Sequence, residues 1–384
     1  MKRFFLGLIA LIVVLGIAAN IFQVEIGRAV FKTAVERTVS RDTLATLPDG
    51  LHVALCGSGS PLPDPGRAGP CTAVIAGKHL FIVDMGSGAT RKLAPMGIAA
   101  GRAEALFLTH LHSDHIDGLG EFMLQRWVSA NHKTPLPVYG PTGVAVVVAG
   151  FNAAYAPDAS YRVAHHGPDV APPDGAGGFP NTIEPGTVYE KDGVTITAFA
   201  VDHRPVTGAV GYRFDYKGRS VVLSGDTAPS PTVIAAARGA DLLIHEALNP
   251  EMAGVIGAAM KKAGKDKTAK IMADIPGYHT SPVDAARIAH KAGVKALILT
   301  HIVPALPFRL LNGYFLDGAH AEYKGPITIG EDGMIFTLPA GSAEIIARLD
   351  GVRRMTSPVL YGLIGPLSLS LAGLERLPGA MNGH

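Results

Sequence analysis

Thr109-His110-Leu111-His112-Ser113-Asp114-His115 puts four metal-ligand side chains within six residues, directly after an apolar run at 105–109 and just before a helical pattern at 118–130. In extended backbone, residues two apart point the same way, so His110 and His112 can grip one ion. Asp114 and His115, at the turn into the helix, then face another. Imidazole and carboxylate donors suit Zn²⁺ first, with Mn²⁺ or Fe²⁺ as alternatives. The competing reading is a polar strand-to-helix turn with incidental histidines. It would bury several unpaired imidazoles beside a hydrophobic strand, a cost that a cation removes.

Two coordination spheres need more ligands than this cluster supplies. His203 follows a β-like run at 194–201, Asp226 follows another at 220–223 within Leu223-Ser224-Gly225-Asp226-Thr227, and His301 ends Leu297-Ile298-Leu299-Thr300-His301. Each lies at the C-terminal end of an apolar strand, where a layered sheet gathers side chains on one rim. Any one alone reads equally well as a capped strand end. An aspartate in the Gly-Asp-Thr turn could bridge two ions through its two oxygens. Further β-like runs at 51–56, 72–76, 79–84, 210–216, 242–244 and 296–300 alternate with helical segments at 118–130, 143–156, 231–238 and 282–292, which predicts a layered α/β fold. Residues 167–186, dense in Pro and Gly, read as a surface loop.

The 384 residues, 48% hydrophobic, are enough for a substantial core. A net charge of only +2 gives no global field for polyanions, so nucleic acid is not an expected partner. Lys2 and Arg3 precede an apolar run at 4–19 that continues through Ile21 and Phe22, which reads as an uncleaved membrane anchor or a cleaved signal, with a buried helix as the remaining option. Residues 23–48 then read as an amphipathic connecting helix that lies along a membrane or caps the domain. Cys56 and Cys71, the only cysteines, flank a short Gly/Pro-rich loop, and a disulfide and two buried thiols are equally open. Residues 357–374 are apolar but broken by Pro358 and Pro366, so they read as a packed tail, with a second membrane contact or a homodimer surface as alternatives.

Several ordered motifs now stand together: Gly57-Ser58-Gly59-Ser60-Pro61, Asp84-Met85-Gly86-Ser87-Gly88, the His110 to His115 cluster, Val138-Tyr139-Gly140-Pro141, His203 with Gly211-Tyr212, Ser224-Gly225-Asp226-Thr227, Ile244-His245-Glu246-Ala247, Tyr278-His279-Thr280 and Leu299-Thr300-His301. In order and spacing the chain resembles the metallo-β-lactamase superfamily, and its ribonuclease Z-like and arylsulfatase-like branch, over roughly residues 50–340. The resemblance implies an αββα sandwich at 49–340, with a C-terminal extension at 341–384. It implies one metal held by His110, His112, His203 and Asp226, and a second by Asp114, His115, Asp226 and His301. A metal-bridging hydroxide would be the nucleophile, oriented by Asp114. The resemblance further implies that Glu246 and His279 pair to protonate the leaving oxygen, that Asp84 orients a ligand histidine, and that His245 is structural.

One feature of the branch is missing. Members that process transfer RNA carry a long basic arm between the counterparts of Gly211-Tyr212 and Ser224-Gly225-Asp226, where this chain has only 11 residues, 213–223. The expected substrate is therefore a small ester (phosphodiester, sulfate ester or lactone), and the expected location is extracytoplasmic, in the periplasm, anchored or secreted. A 3′ tRNA-processing endoribonuclease and a non-catalytic membrane-attached metal-binding scaffold are the alternatives. Residues 248–277, with Lys261, Lys262, Lys265, Lys267 and Lys270, form an insertion that reads either as a lid over the site or as a solvated helix. His165 and His166 read as a surface pair or as part of the pocket mouth.

Overall fold

The structure, a computed structural model, describes residues 2–349. The first half of the chain lays down β1 (Gly50–Gly57), β2 (Cys71–Ala76), β3 (His79–Val83), β4 (Ala103–Phe107), β5 (Leu136–Gly140) and β6 (Gly178–Thr182). The second half lays down β7 (Gly186–Lys191), β8 (Val194–Ala200), β9 (Val210–Tyr216), β10 (Arg219–Leu223), β11 (Leu242–Leu248), β12 (Ala296–Val303) and β13 (Ile327–Ile329). Then β14 (Met334–Pro339) and β15 (Ile346–Leu349) return to the first sheet. The sheet orders are β15-β14-β1-β2-β3-β4-β5-β6 and β13-β12-β11-β10-β9-β8-β7.

The strands that read as continuous apolar runs do so because both of their faces are covered. Along β1, Leu51, Val53 and Leu55 point into the core between the sheets, where they meet Phe81, Phe107, Phe214, Val221 and Ile298. The intervening Ala54 and Cys56 point outward to a second core. Among the described residues, none of those in this inner core belongs to a helix.

After two N-terminal helices, α1 (Lys2–Ile21) and α2 (Gln23–Val39), the outer core is closed by α3 (Leu119–Ala130) and α4 (Val144–His166) through Leu119, Phe122, Met123, Val144 and Val148. On the other sheet, α5 (Pro231–Ala236) contributes Val233. A hairpin of α6 (Pro250–Lys262) and α7 (Asp266–Asp274) follows β11. Next, α8 (Pro282–Ala292) buries Ala285, Ala286, Ile288 and Ala289 against that same sheet. This is the αββα sandwich that the motifs imply.

Several sequence expectations are corrected. The stretch at 167–186 is not only loop: β6 lies inside it, pairing parallel with β5 from Leu136 opposite Gly178 to Gly140 opposite Thr182. Pro180 hid it, and an edge strand is where proline is tolerated. The buried-helix option for the N-terminal apolar run does not hold, since the apolar side chains of α1 are exposed; no residue of α2 is buried either. The helix at 143–156 runs on to His166, through Pro157. Cys56 and Cys71 are joined in a disulfide that ties the end of β1 to the start of β2. The apolar stretch 357–374 lies outside the described residues.

Arg219 on β10 joins the two sheets. It is 3% exposed; its Nε donates to Asp241 Oδ2 at 3.0 Å, and its other nitrogens donate to the carbonyls of Pro339, Ser342 and Glu344 at 2.6–2.9 Å. Burial alone would raise the Asp241 carboxyl, but hydrogen bonds from Arg219, Lys295 and the Ser220 amide outweigh it and hold the pKa below its ordinary value. Removing one partner of a buried pair strands the other, so Asp241→Ala is expected to cost about 3–5 kcal/mol in denaturant titration. A carboxyl with a depressed folded pKa stabilises above its unfolded pKa and loses that contribution as pH falls through the folded value. Asp241→Asn is therefore expected to flatten the acid limb of stability against pH; an unchanged limb would contradict this.

Candidate metal centre

The site forms at the rim where β4, β8, β10 and β12 deliver their C-terminal ends. Past β4 the chain runs through residues 108–112 into a short helix, Ser113–Ile116, whose first turn carries Asp114 and His115. Asp84, just past β3, adopts φ 57°, a left-handed conformation uncommon for a residue with a side chain. Its carboxylate accepts from the Thr109 amide at 2.8 Å, from the Thr109 hydroxyl at 2.9 Å and from His115 Nδ1 at 2.9 Å. That contact fixes the His115 tautomer and leaves Nε2 facing the site.

Gly225 turns Asp226 into the cluster. At φ 62° a Cβ there would meet the Val210 carbonyl at 2.8 Å and Thr109 Cβ at 3.0 Å, so only glycine lets the turn close. His301 does not end its strand, as the sequence suggested; β12 continues to Val303. The pairing with β11 steps from Glu246–Thr300 to Ala247–Ile302, which leaves His301 as a bulge at φ 48°. The bulge aims its ring at the rim. Beneath it, the Ile302 amide donates to the Ser58 carbonyl, so the Gly57-Ser58-Gly59 loop buttresses this bend. His203, beyond β8, donates from Nδ1 to the Tyr278 carbonyl at 3.1 Å, and its Nε2 points inward.

All seven residues expected as ligands converge. His110 Nε2 lies 3.0 Å from His112 Nδ1, which is 3.3 Å from His203 Nε2, and Asp226 Oδ2 lies 3.8 Å from His110 Nε2. On the other side, His115 Nε2 is 3.4 Å from Asp114 Oδ2 and 3.3 Å from Asp226 Oδ2, and His301 Nε2 is 3.2 Å from each of these oxygens. Asp226 Oδ2 therefore stands between two sets of donors, His110–His112–His203 and Asp114–His115–His301.

This donor set fits divalent cations. His115 Nε2 is buried without a hydrogen-bond partner, and ring nitrogens of three histidines face one another at contact distance. A shared cation relieves both conditions at once. The titration behaviour agrees. Burial, then the neighbouring His115, drives His110 well below the usual imidazole range, so its lone pair stays free. Burial would also lower His115, but Asp226, Asp84 and Asp114 raise it well above that range. The carboxylates that draw a proton there draw a cation equally. Asp226, which burial would raise, is held well below the carboxylate range by His301 and His115.

Beside the two sets, His279 Nδ1 donates to Glu246 Oε1 at 3.1 Å, and the same oxygen accepts the amides of Thr227 and Thr280 at 3.2 and 2.9 Å. Ser281, rather than His279, caps α8, since its hydroxyl accepts from the Asp284 amide. Burial would lower the His279 pKa, but the Glu246 carboxylate raises it to about 9. His245 is buried behind Glu246, donates from Nδ1 to the Glu246 carbonyl at 2.8 Å and belongs to neither donor set. His165 and His166 end α4 on the exposed surface. Thr109 went unrecognised as a hub: besides Asp84, its hydroxyl lies 3.0 Å from His110 Nδ1. Its place immediately before the first ligand was the available signal.

Comparison with known proteins agrees with this geometry. The beta-lactamase superfamily domain matches residues 81–302. Ribonuclease Z of Mycobacterium bovis (strain BCG / Pasteur 1173P2) is 40% identical over 288 residues, covering 73% of this chain and 96% of that protein. Ribonuclease Z of Mycobacterium marinum is 38% identical over 293 residues, with the same coverage. Among solved structures, the metallo-beta-lactamase fold protein YhfI of Bacillus subtilis aligns with a TM-score of 0.55 at 22% identity, over 75% of this chain and 99% of that one. The short form of human tRNase Z aligns with a TM-score of 0.51 at 22% identity, over 75% and 99%. At those identities the structural likeness concerns the fold.

Two expectations are overturned. The exclusion of nucleic acid fails because relatives matched over 96% of their length are ribonucleases by name. The missing arm is no counterargument: the 288 aligned positions hold 73% of this chain, so few of them can be insertions in the relative. Net charge misled because it sums the whole chain, whereas nucleic acid responds to local charge. The extracytoplasmic location also fails against these relatives. The apolar helix 3–21, with mean hydropathy 2.7, is weak support for it, since a single such helix near an N-terminus is weak evidence. Fold, donor sets and relatives lead to one conclusion: the chain is a ribonuclease Z-like member of the metallo-β-lactamase superfamily, and a divalent-metal-dependent hydrolase.

Proposed function

We propose that this protein is an endoribonuclease of the ribonuclease Z kind, hydrolysing a phosphodiester in RNA. The observation that carries this reading is the 40% identity to Mycobacterium bovis ribonuclease Z across 96% of that protein. In this reading His110, His112, His203 and Asp226 hold one divalent ion, and Asp114, His115, Asp226 and His301 hold a second; zinc suits the donors. Two such ions, when bound, supply an acidified water and neutralise charge on the attacked phosphate.

The chain's own residues do the rest. Asp114, whose Oδ2 lies within reach of both His115 and His301, orients the attacking water from beside the second set. His279, held at Nδ1 by Glu246, keeps its Nε2 for the leaving oxygen, and the Glu246 carboxylate beside it favours the protonated ring. Asp84 fixes the His115 ring, so Asp84→Ala is expected to weaken metal binding about 10–100-fold in a chelator competition, with the fold retained by circular dichroism. Unchanged affinity would remove Asp84 from this account.

The testing experiment compares kcat/KM on a structured RNA with a 3′ extension against nitrophenyl phosphodiester, sulfate and carboxylic esters. The RNA is expected to be cut endonucleolytically and with the highest kcat/KM. Turnover of a small ester with the RNA left intact would replace this reading by the small-ester one.

A further inference from the structure

The hairpin of α6 and α7 leaves β11 directly after Glu246-Ala247-Leu248 and returns just before Tyr278-His279. Its root is fixed: Leu248, Ala253, Met272, Ile275 and Val303 form a small core that Leu62, Ile256, Met260 and Tyr278 flank. Tyr278 in turn holds His203. The hairpin is therefore a rigid projection built on the wall of the metal centre. With 13 residues in α6, its tip lies about 20 Å from its root.

That tip is basic and has no internal explanation. Lys261, Lys262, Lys265 and Lys267 are all exposed, and among the described residues none of the four has an ion-pair partner within 4.0 Å. By contrast, Lys270 is paired with Asp274 at 2.8 Å. Lys261 and Lys262 suit the C-terminal end of α6, where the helix dipole favours cations. Lys265 and Lys267, however, stand at the N-cap and in the first turn of α7, where the dipole disfavours them. Folding of the hairpin accounts for two of these charges and runs against the other two. In a chain with net charge +2, four cations against one carboxylate, Asp266, within seven residues are a local concentration of positive charge. Below them, the small residues Gly254, Gly257 and Ala269 leave a groove of about 410 Å³ whose charged rim is Lys261, Asp266 and Lys270.

We propose that the α6–α7 tip is the RNA-holding element of this enzyme, with Lys261, Lys262, Lys265 and Lys267 engaging backbone phosphates away from the scissile bond, at the far end of a helix about 20 Å long. The proposal rests on the RNA reading above and deepens it: the chain lacks a long segment between Tyr212 and Ser224, and a basic projection stands instead between Glu246 and His279. Lysine contacts to phosphate carry little sequence information, so the tip would select for a folded RNA of sufficient reach rather than for a base sequence. A substrate too short to span from site to tip would not use it.

The test replaces the four lysines together with glutamine, which preserves helix propensity. A second variant carries the same charge change at four exposed lysines elsewhere: Lys78, Lys133, Lys291 and Lys324. Steady-state cleavage of a structured RNA and of a nitrophenyl phosphodiester is measured between 50 and 200 mM salt. The tip variant is expected to raise KM for RNA about tenfold or more and to lower the slope of log affinity against log salt by about two to three. Its kcat on RNA and its turnover of the small diester should stay at wild-type levels, and the second variant should change none of these. RNA cleavage with KM and salt slope equal to wild type in the tip variant would overturn the proposal while leaving the substrate reading intact. An equal KM rise in both lysine variants would also overturn it, as a general charge effect. Wild-type protein that cuts the small diester but leaves RNA intact would overturn the substrate reading, and the tip's role with it.

Discussion

Asp226→Ala is expected to leave the chain with less than one bound metal and to lower phosphodiester turnover by at least about 10³-fold, because loss of a residue that merely supports a ligand already costs about 10–100-fold. The expectation follows from one oxygen. Asp226 Oδ2 lies 3.8 Å from His110 Nε2, 3.3 Å from His115 Nε2 and 3.2 Å from His301 Nε2, so its removal subtracts a donor and a negative charge from both sets together. The remaining histidines then face one another without the carboxylate that held their charges. Metal content by mass spectrometry and kcat/KM on the same preparation check it. Full metal content in the variant would show that Asp226 is not shared.

His279→Ala should act differently. Metal content stays at the wild-type level, while kcat on RNA falls about 10²–10⁴-fold, the usual range for losing a general acid. On a nitrophenyl diester the loss should be tenfold or less on the same principle, because nitrophenolate departs without needing a proton. The acid form does the work, so activity on RNA holds at lower pH and falls as pH rises through the His279 pKa. In the metal-free chain Glu246 lifts that value to about 9, and cations alongside move it down towards the ordinary 6.5. The falling limb should disappear in His279→Ala. Equal losses on both substrates, or a retained limb, would remove His279 as the proton donor. Glu246→Gln should shift the limb to lower pH, since it takes away the charge that holds the proton.

Much of this site could be read from sequence because its ligands sit where strands stop. His110, His112, Asp114 and His115 form one local word, and His203 and Asp226 each follow an apolar run long enough to be a strand. His301 was legible as a ligand but not as a bulge, because the register slip between β11 and β12 is a property of two strands together. Asp84 was legible as a supporting residue, yet its left-handed conformation and its hold on Thr109 depend on β3 and β4 lying side by side. Among the strands, β1 to β4 and β8 to β12 announced themselves as apolar runs. β6, with a proline and a partner 42 residues earlier at its first pair, did not. Function was the least legible level. Reading a missing arm and a small net charge as evidence against RNA treated an absence and an average as if they were a site.

The central claim is that the two donor sets around Asp226 together support RNA hydrolysis. It is tested most directly by stripping the protein with chelator and titrating zinc back while following cleavage of a structured RNA with a 3′ extension and bound metal in the same samples. Cleavage that rises with zinc, saturates as two ions per chain are bound and stays absent in Asp226→Ala is the predicted result. RNA left intact at two bound ions per chain, or cut equally well by the Asp226→Ala protein, would contradict it.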